Sequence, residues 1–313
     1  MQTKILVDVP LPDRITSLLE DYQLHIWSED EPNDETLATF DGIVTYGHPL
    51  VDGGLMDKMT NLKVISNFGV GVDHINLADA EQRGIPVGNT PNMLDGATAD
   101  MTFALLMAAA RNIIVGDHYA RSPEFTSYDP SILLGQEVHE STLGIIGMGN
   151  IGLQVARRAQ GFDMTVLYHN RNRKPEAEKD LGVQYAALDE LLKRSDFVAL
   201  NVPLTSETRE MIGRDQLKMM KSTAILINLA RGGVIDHDAL VEALENKWIA
   251  VAALDVTEPE PLPRDHPLLT MDNVVLAPHL GSATFRTRQK MAERTVANLK
   301  AGLAGEPLIT PAY

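Results

Sequence analysis

The sequence predicts an α/β protein made of two doubly wound parallel-sheet domains. Three observations predict it. Short apolar segments alternate with helical patterns along both halves of the chain, which reads as parallel strands with helices on their faces. A glycine-rich segment, Leu143-Gly-Ile-Ile-Gly-Met-Gly-Asn-Ile-Gly152, follows an apolar run at mid-chain and opens a helical pattern. The length of 313 residues suits two domains.

In the first half, strands are expected over 4–9, 24–27, 42–46, 63–67 and 86–88. Helices are expected over 13–22, 35–38, 55–59 and 77–83, then a long apolar one over 98–111. Residues 117–141 are irregular and rich in Ser, Pro and Gly, which reads as a long surface loop. The second half offers strands over 143–146, 165–168, 197–201, 224–228, 251–254 and 274–276, with the clearest helix over 236–246. A last helix is expected over 284–303. If it packs back on the first half, the first domain is discontinuous and the ligand cleft lies between the two.

The formal net charge is −16. Nucleic acid and anionic membranes are therefore not expected as partners. Cysteine is absent, which excludes disulfides, thiolate catalysis and Cys-ligated metals. No metal site is expected. The N-terminal residues carry no signal-peptide apolar run and no long apolar run follows, so a cytoplasmic location is expected.

The glycines at 147, 149 and 152 have the spacing of a dinucleotide-binding βαβ turn. Gly147 suits the tight turn, Gly149 a close approach to a pyrophosphate, and Gly152 close helix packing. The helix start at Asn150 and Ile151 offers N–H groups to phosphate. A domain preferring NAD(H) usually carries an acid about 20 residues on. Here residues 166–174 hold no acid, but Asn170, Arg171, Arg173 and Lys174. A carboxylate about 4 Å from a 2′-phosphate would cost on the order of 4 kcal/mol at an effective dielectric of 20. A guanidinium would bind it. NADP(H) is therefore expected to be preferred, with NAD(H) left open.

Three later segments place Arg231, Glu258 or Glu260, and His279 just past apolar strands. Beside a nicotinamide, such a set suits carbonyl reduction. The imidazolium gives a proton, the carboxylate fixes its tautomer, and the guanidinium binds a substrate carboxylate. Singly, each has a plainer reading: a surface ion pair, a solvated turn, a helix cap.

The chain resembles the D-isomer-specific 2-hydroxyacid dehydrogenases. The resemblance is carried by Ser66-Asn-Phe-Gly-Val-Gly-Val-Asp-His-Ile75, Gly84-Ile-Pro-Val-Gly-Asn-Thr-Pro91, the loop at Gly147, and Asn228-Leu-Ala-Arg-Gly-Gly233. Leu254-Asp-Val-Thr-Glu-Pro-Glu-Pro261 and Ala277-Pro-His-Leu-Gly-Ser-Ala-Thr284 complete it. Within that family it looks most like the glyoxylate/hydroxypyruvate reductases.

The resemblance implies a Rossmann cofactor domain over 99–285, inserted into a flavodoxin-like substrate domain over 1–98 and 286–313. It implies Arg231, Glu260 and His279 as catalytic residues, Glu260 rather than Glu258 being the match. Val70 and Gly71 would bind substrate together with Arg231 and His279. Thr98, Pro203, Thr208, Leu229, Ala230, Asp255 and Gly281 would join the glycine loop around the cofactor. A homodimer joined through the cofactor domain and the 117–141 loop is also implied. One departure is that the loop lacks the tryptophans frequent in related reductases; the only two are Trp27 and Trp248. That keeps longer 2-keto acids, including 2-ketogluconate, beside glyoxylate and hydroxypyruvate as substrates. A nucleotide-sensing corepressor on the same fold is the rival from another class.

Overall fold

The computed structural model describes residues 2–11, 13–47 and 50–313. The chain divides into two compact units, Met1–Leu94 with Thr284–Tyr313, and Asp95–Ala283.

The first unit runs β1 (Lys4–Val7), α1 (Asp13–Thr16), β2 (Gln23–Ile26), α2 (Asp34–Leu37), β3 (Gly42–Thr45), α3 (Gly53–Lys58), β4 (Val64–Asn67), α4 (Leu77–Gln82) and β5 (Val87–Gly88). Its sheet is parallel in the flavodoxin-like order β2-β1-β3-β4-β5. Alternation along each strand sends side chains to two cores. Ile5, Val7, Val44 and Val64 pack on one face with Met291, Val296 and Leu299 of the C-terminal helix. Leu6, Ile43 and Ile65 pack on the other with Leu37, Met56 and Met59. Side chains of Asn33, Asp52 and Asn76 cap α2, α3 and α4 by accepting first-turn N–H groups. The buried Asn298 joins the C-terminal helix to Asn89 and Thr310 through hydrogen bonds of 3.0–3.1 Å.

The second unit opens with α5 (Asp95–Ala110) and α6 (Ile113–Arg121). It continues with β6 (Thr142–Ile146), α7 (Asn150–Ala159), β7 (Thr165–His169), α8 (Pro175–Leu181), β8 (Gln184–Tyr185), α9 (Leu188–Arg194) and β9 (Phe197–Leu200). It closes with α10 (Arg214–Met219), β10 (Ile225–Asn228), α11 (His237–Glu245), β11 (Val251–Leu254) and β12 (Val274–Leu276). The order β12-β11-β10-β9-β6-β7-β8, all parallel, is that of a Rossmann sheet. The order reverses between β6 and β9, the switch point where such sheets take ligands. The last helix, α12 (Phe285–Leu303), belongs to the first unit.

Three expectations are corrected, and one short strand is not among those expected. The first helix stops at Thr16, because Leu18 and Leu19 donate to carbonyls three residues back, at Ile15 and Thr16, and close the chain into turns. Helix α6 runs to Arg121, so the irregular segment begins after it, not at Asp117; the ion pair of Arg121 with Asp117 (2.9 Å) spans one helical turn. Strand β8 is only two residues long and exposed, too short for a hydrophobic period to reveal. Strand β12, although an apolar run in the sequence, is a half-exposed edge. Among the described residues, no single helix is long and apolar enough to cross a membrane, and no cluster of three or more His, Asp or Glu is placed to hold a metal.

Candidate active site

The glycine loop leaves β6 at the switch point. Gly147 has φ +98° and donates its N–H to the His169 carbonyl at 2.9 Å. A Cβ there would press on the Asn201 carbonyl, and one at Gly152 would overlap the Gly147 carbonyl. These two glycines are demanded by the chain's own packing. Gly149 is different: among the described residues, a Cβ there meets no atom within 4 Å, and no side chain caps α7, which starts beside it. An open glycine before an uncapped helix N-terminus fits the pyrophosphate of a dinucleotide. Asn150 and Ile151 form the first turn of α7.

The turn after β7 is bonded to this loop. Asn170 accepts the Met148 N–H through Oδ1 (3.2 Å) and donates through Nδ2 to the Asn172 carbonyl (2.8 Å). Arg171 is exposed and makes no ion pair or hydrogen bond among the described residues. Arg173 is held by Glu178 through Nη2 (2.6 Å) and Nε (3.0 Å). The two arginines are thus unlike, although the sequence reads them alike. Further along the sheet, Thr208 donates to the Pro203 carbonyl at 2.6 Å, and Leu229 and Ala230 follow β10.

Strands β10, β11 and β12 lie side by side, with Asn228 opposite Leu254 and Leu254 opposite Leu276. Arg231, Asp255 and His279 therefore leave three neighbouring strands at their carboxyl ends. The buried Asn228 shapes the Arg231 turn, accepting the Ala230 N–H (3.0 Å) and donating to the Arg231 carbonyl (2.9 Å). A Cβ at Gly232 would overlap the Thr257 carbonyl, so this turn lies against the segment that carries Glu260.

His279 sits at φ +56°, in the left-handed region, which costs a non-glycine residue about 1–2 kcal/mol. Asp255 offsets that cost. Its carbonyl accepts the His279 N–H (2.9 Å), and its two carboxylate oxygens accept the Leu280 and Gly281 N–H groups (2.7 Å each). Burial pushes the Asp255 carboxyl above its ordinary pKa, opposed by those two bonds. Gly281 lies between Asp255 and Thr98: a Cβ there would stand 3.2 Å from the one and 3.5 Å from the other.

The His279 Nδ1 is 2.8 Å from Glu260 Oε1. A carboxylate only accepts, so Nδ1 carries the proton, and Nε2 has no hydrogen-bond partner among the described residues. In the first unit, Val70 and Gly71 follow β4. Their carbonyls accept from Asn89 (2.9 Å) and Asn67 (2.8 Å). Neither of their N–H groups donates to any described residue.

One contributor escaped the sequence reading. His237, one of nine histidines, is buried; its Nδ1 donates to the Ile235 carbonyl (3.1 Å) and its Nε2 accepts the Glu258 N–H (3.3 Å). It thereby ties the start of α11 to the segment bearing Glu260. No spacing signals this role, because both partners are backbone groups. Burial pushes the His237 pKa below 6.5. The unfolded chain then binds the proton first, so His237 weakens the fold as pH falls below about 6.5, and the loss levels off at the lower folded value. We expect denaturant melts of the wild type to lose stability between pH 7.5 and 5.5 by more than those of His237→Gln. Equal losses would contradict the neutral, buried state of this ring.

The family model of the D-isomer specific 2-hydroxyacid dehydrogenase NAD binding domain matches residues 103–281. The glyoxylate reductase of Korarchaeum cryptofilum is 45% identical over 313 residues, covering 98% of this chain and 94% of that protein. A crystal structure of a Thermus thermophilus protein superposes with a TM-score of 0.91 at 41% identity, covering 99% of this chain and 100% of that one. The NADPH-dependent glyoxylate/hydroxypyruvate reductase of Sinorhizobium meliloti, in complex with NADP and malonate, superposes at 0.87 with 31% identity, covering 99% and 97%. The chain belongs to the D-isomer specific 2-hydroxyacid dehydrogenase family and is an NAD(P)-dependent oxidoreductase.

Proposed function

We propose that this enzyme reduces glyoxylate and hydroxypyruvate, to glycolate and D-glycerate, with NADPH preferred over NADH. The observation that carries the reading is the His279–Glu260 pair at 2.8 Å, with Nε2 left for a substrate. Reduction of a 2-keto acid builds negative charge on the carbonyl oxygen. His279 gives that oxygen a proton from Nε2, while Glu260 holds the ring through Nδ1 and balances the imidazolium. Arg231 binds the acid and polarises the carbonyl. The N–H groups of Val70 and Gly71 receive the substrate carboxylate. The nicotinamide, when bound, supplies the hydride. Asp255, Thr98 and Gly281 would line its place, Pro203, Thr208, Leu229 and Ala230 would flank it, and the glycine loop would hold the phosphates.

The relatives support the small acids: glyoxylate reductases stand at 43–45% identity over nearly the full length, which does not favour 2-ketogluconate or a corepressor role. The NADPH preference is supported by Asn170 and by the exposed Arg171, unpaired among the described residues, where an acid would stand for NADH. Exposed apolar residues support a homodimer, namely Ile113 and Ile114 on α6 with Phe125, Tyr128 and Leu134 beyond it.

Absorbance at 340 nm should fall with glyoxylate or hydroxypyruvate and NADPH, with a higher kcat/KM than with NADH. No turnover of either acid would refute the substrate reading, and an equal or higher value with NADH would refute the cofactor preference. Light scattering should give twice the 34.3 kDa of one chain; a monomer would refute the dimer.

A further inference from the structure

We propose that Glu178 sets the strength of the NADPH preference, by occupying Arg173 with a carboxylate of the chain itself where a 2′-phosphate would otherwise bind. The inference rests on the cofactor reading above and concerns a residue that reading does not use. In the sequence, Arg171, Arg173 and Lys174 form one basic run. In the folded chain the run is divided. Arg173 gives Nε and Nη2 to the two oxygens of Glu178, at 3.0 and 2.6 Å, and its guanidinium lies 5.4 Å from the centre of the Tyr185 ring. A bidentate pair of this kind is nearly neutral to an approaching anion.

Glu178 is itself fixed. Its Oε1 also accepts the Tyr168 hydroxyl at 2.6 Å, and the Tyr168 oxygen in turn accepts the Lys174 N–H at 2.7 Å. Tyr168 is fully buried. The Arg173 bond, then the Tyr168 bond, hold the Glu178 carboxyl below its ordinary pKa, so neutral pH does not release the pair. The turn lies against the phosphate loop, through Asn170 to Met148 and His169 to Gly147. An intramolecular carboxylate loses no translational freedom on binding Arg173, whereas a bound dinucleotide does. Arg171 is then left as the residue that meets the 2′-phosphate directly.

Glu178→Gln keeps an oxygen for the Tyr168 hydroxyl and removes the charge, which makes it the discriminating substitution. Calorimetric titration of the cofactor-free enzyme with adenosine 2′,5′-bisphosphate and with 5′-AMP isolates the 2′-phosphate. The expected result is a three- to tenfold rise in affinity for the bisphosphate (about the worth of one partly exposed charge-assisted contact), with 5′-AMP unchanged within about twofold. The Glu178→Gln/Arg173→Gln double variant, one neutral pair replaced by another, should return to the wild-type values. No rise in Glu178→Gln, or a rise that persists in the double variant, would overturn the proposal. A wild type that binds both probes equally would refute the NADPH reading instead, and leaves the Glu178 effect to be read on its own.

Discussion

Three successive backbone N–H groups, those of His279, Leu280 and Gly281, end on one residue, Asp255. The candidate site depends on this convergence. It holds His279 in a left-handed conformation that the residue would not choose alone, and it does so from the neighbouring strand, so the position of His279 is set by the sheet. The parallel register of β10, β11 and β12 then brings the Arg231 turn and the Glu260 segment beside it. A buried carboxylate is costly unless its oxygens are bonded; here both are bonded by the group they position. Stability and site geometry are therefore one feature.

The protein carries a net charge of −16 and yet is read as binding an anionic cofactor and an anionic acid. Local arrangement resolves the conflict. The start of α7, which has no side-chain cap, the N–H groups of Val70 and Gly71, which donate to no described residue, and the exposed Arg171 are small positive features in a negative surround. Fixed donors suit this task better than many lysines, because they need no reorganisation when the ligand arrives. The same economy makes cofactor choice sensitive to a single carboxylate such as Glu178.

Much of the fold was legible in the sequence. Strands buried on both faces appear as short apolar runs, and the glycine spacing at 147, 149 and 152 marks the turn that its Cβ contacts enforce. Short or exposed pieces were not legible: β8 has two residues, and β12 is an edge. Within the site, Arg231, Glu260 and His279 are singled out by motif resemblance, since spacing alone leaves each a plain alternative. The division between Arg171 and Arg173 was hidden, because Glu178 reads as an ordinary helix acid until α8 folds back on β7. His237 was hidden because its partners are backbone atoms that any sequence supplies.

The central claim is that His279 supplies the proton in reduction of a 2-keto acid and does not hold the cofactor. Its most direct test is His279→Ala, with turnover and NADPH affinity measured on the same preparation. The expected result is a kcat lower by about 10²–10⁴-fold, with NADPH dissociation, followed by its fluorescence, changed by less than about threefold. Turnover near that of the wild type would contradict it.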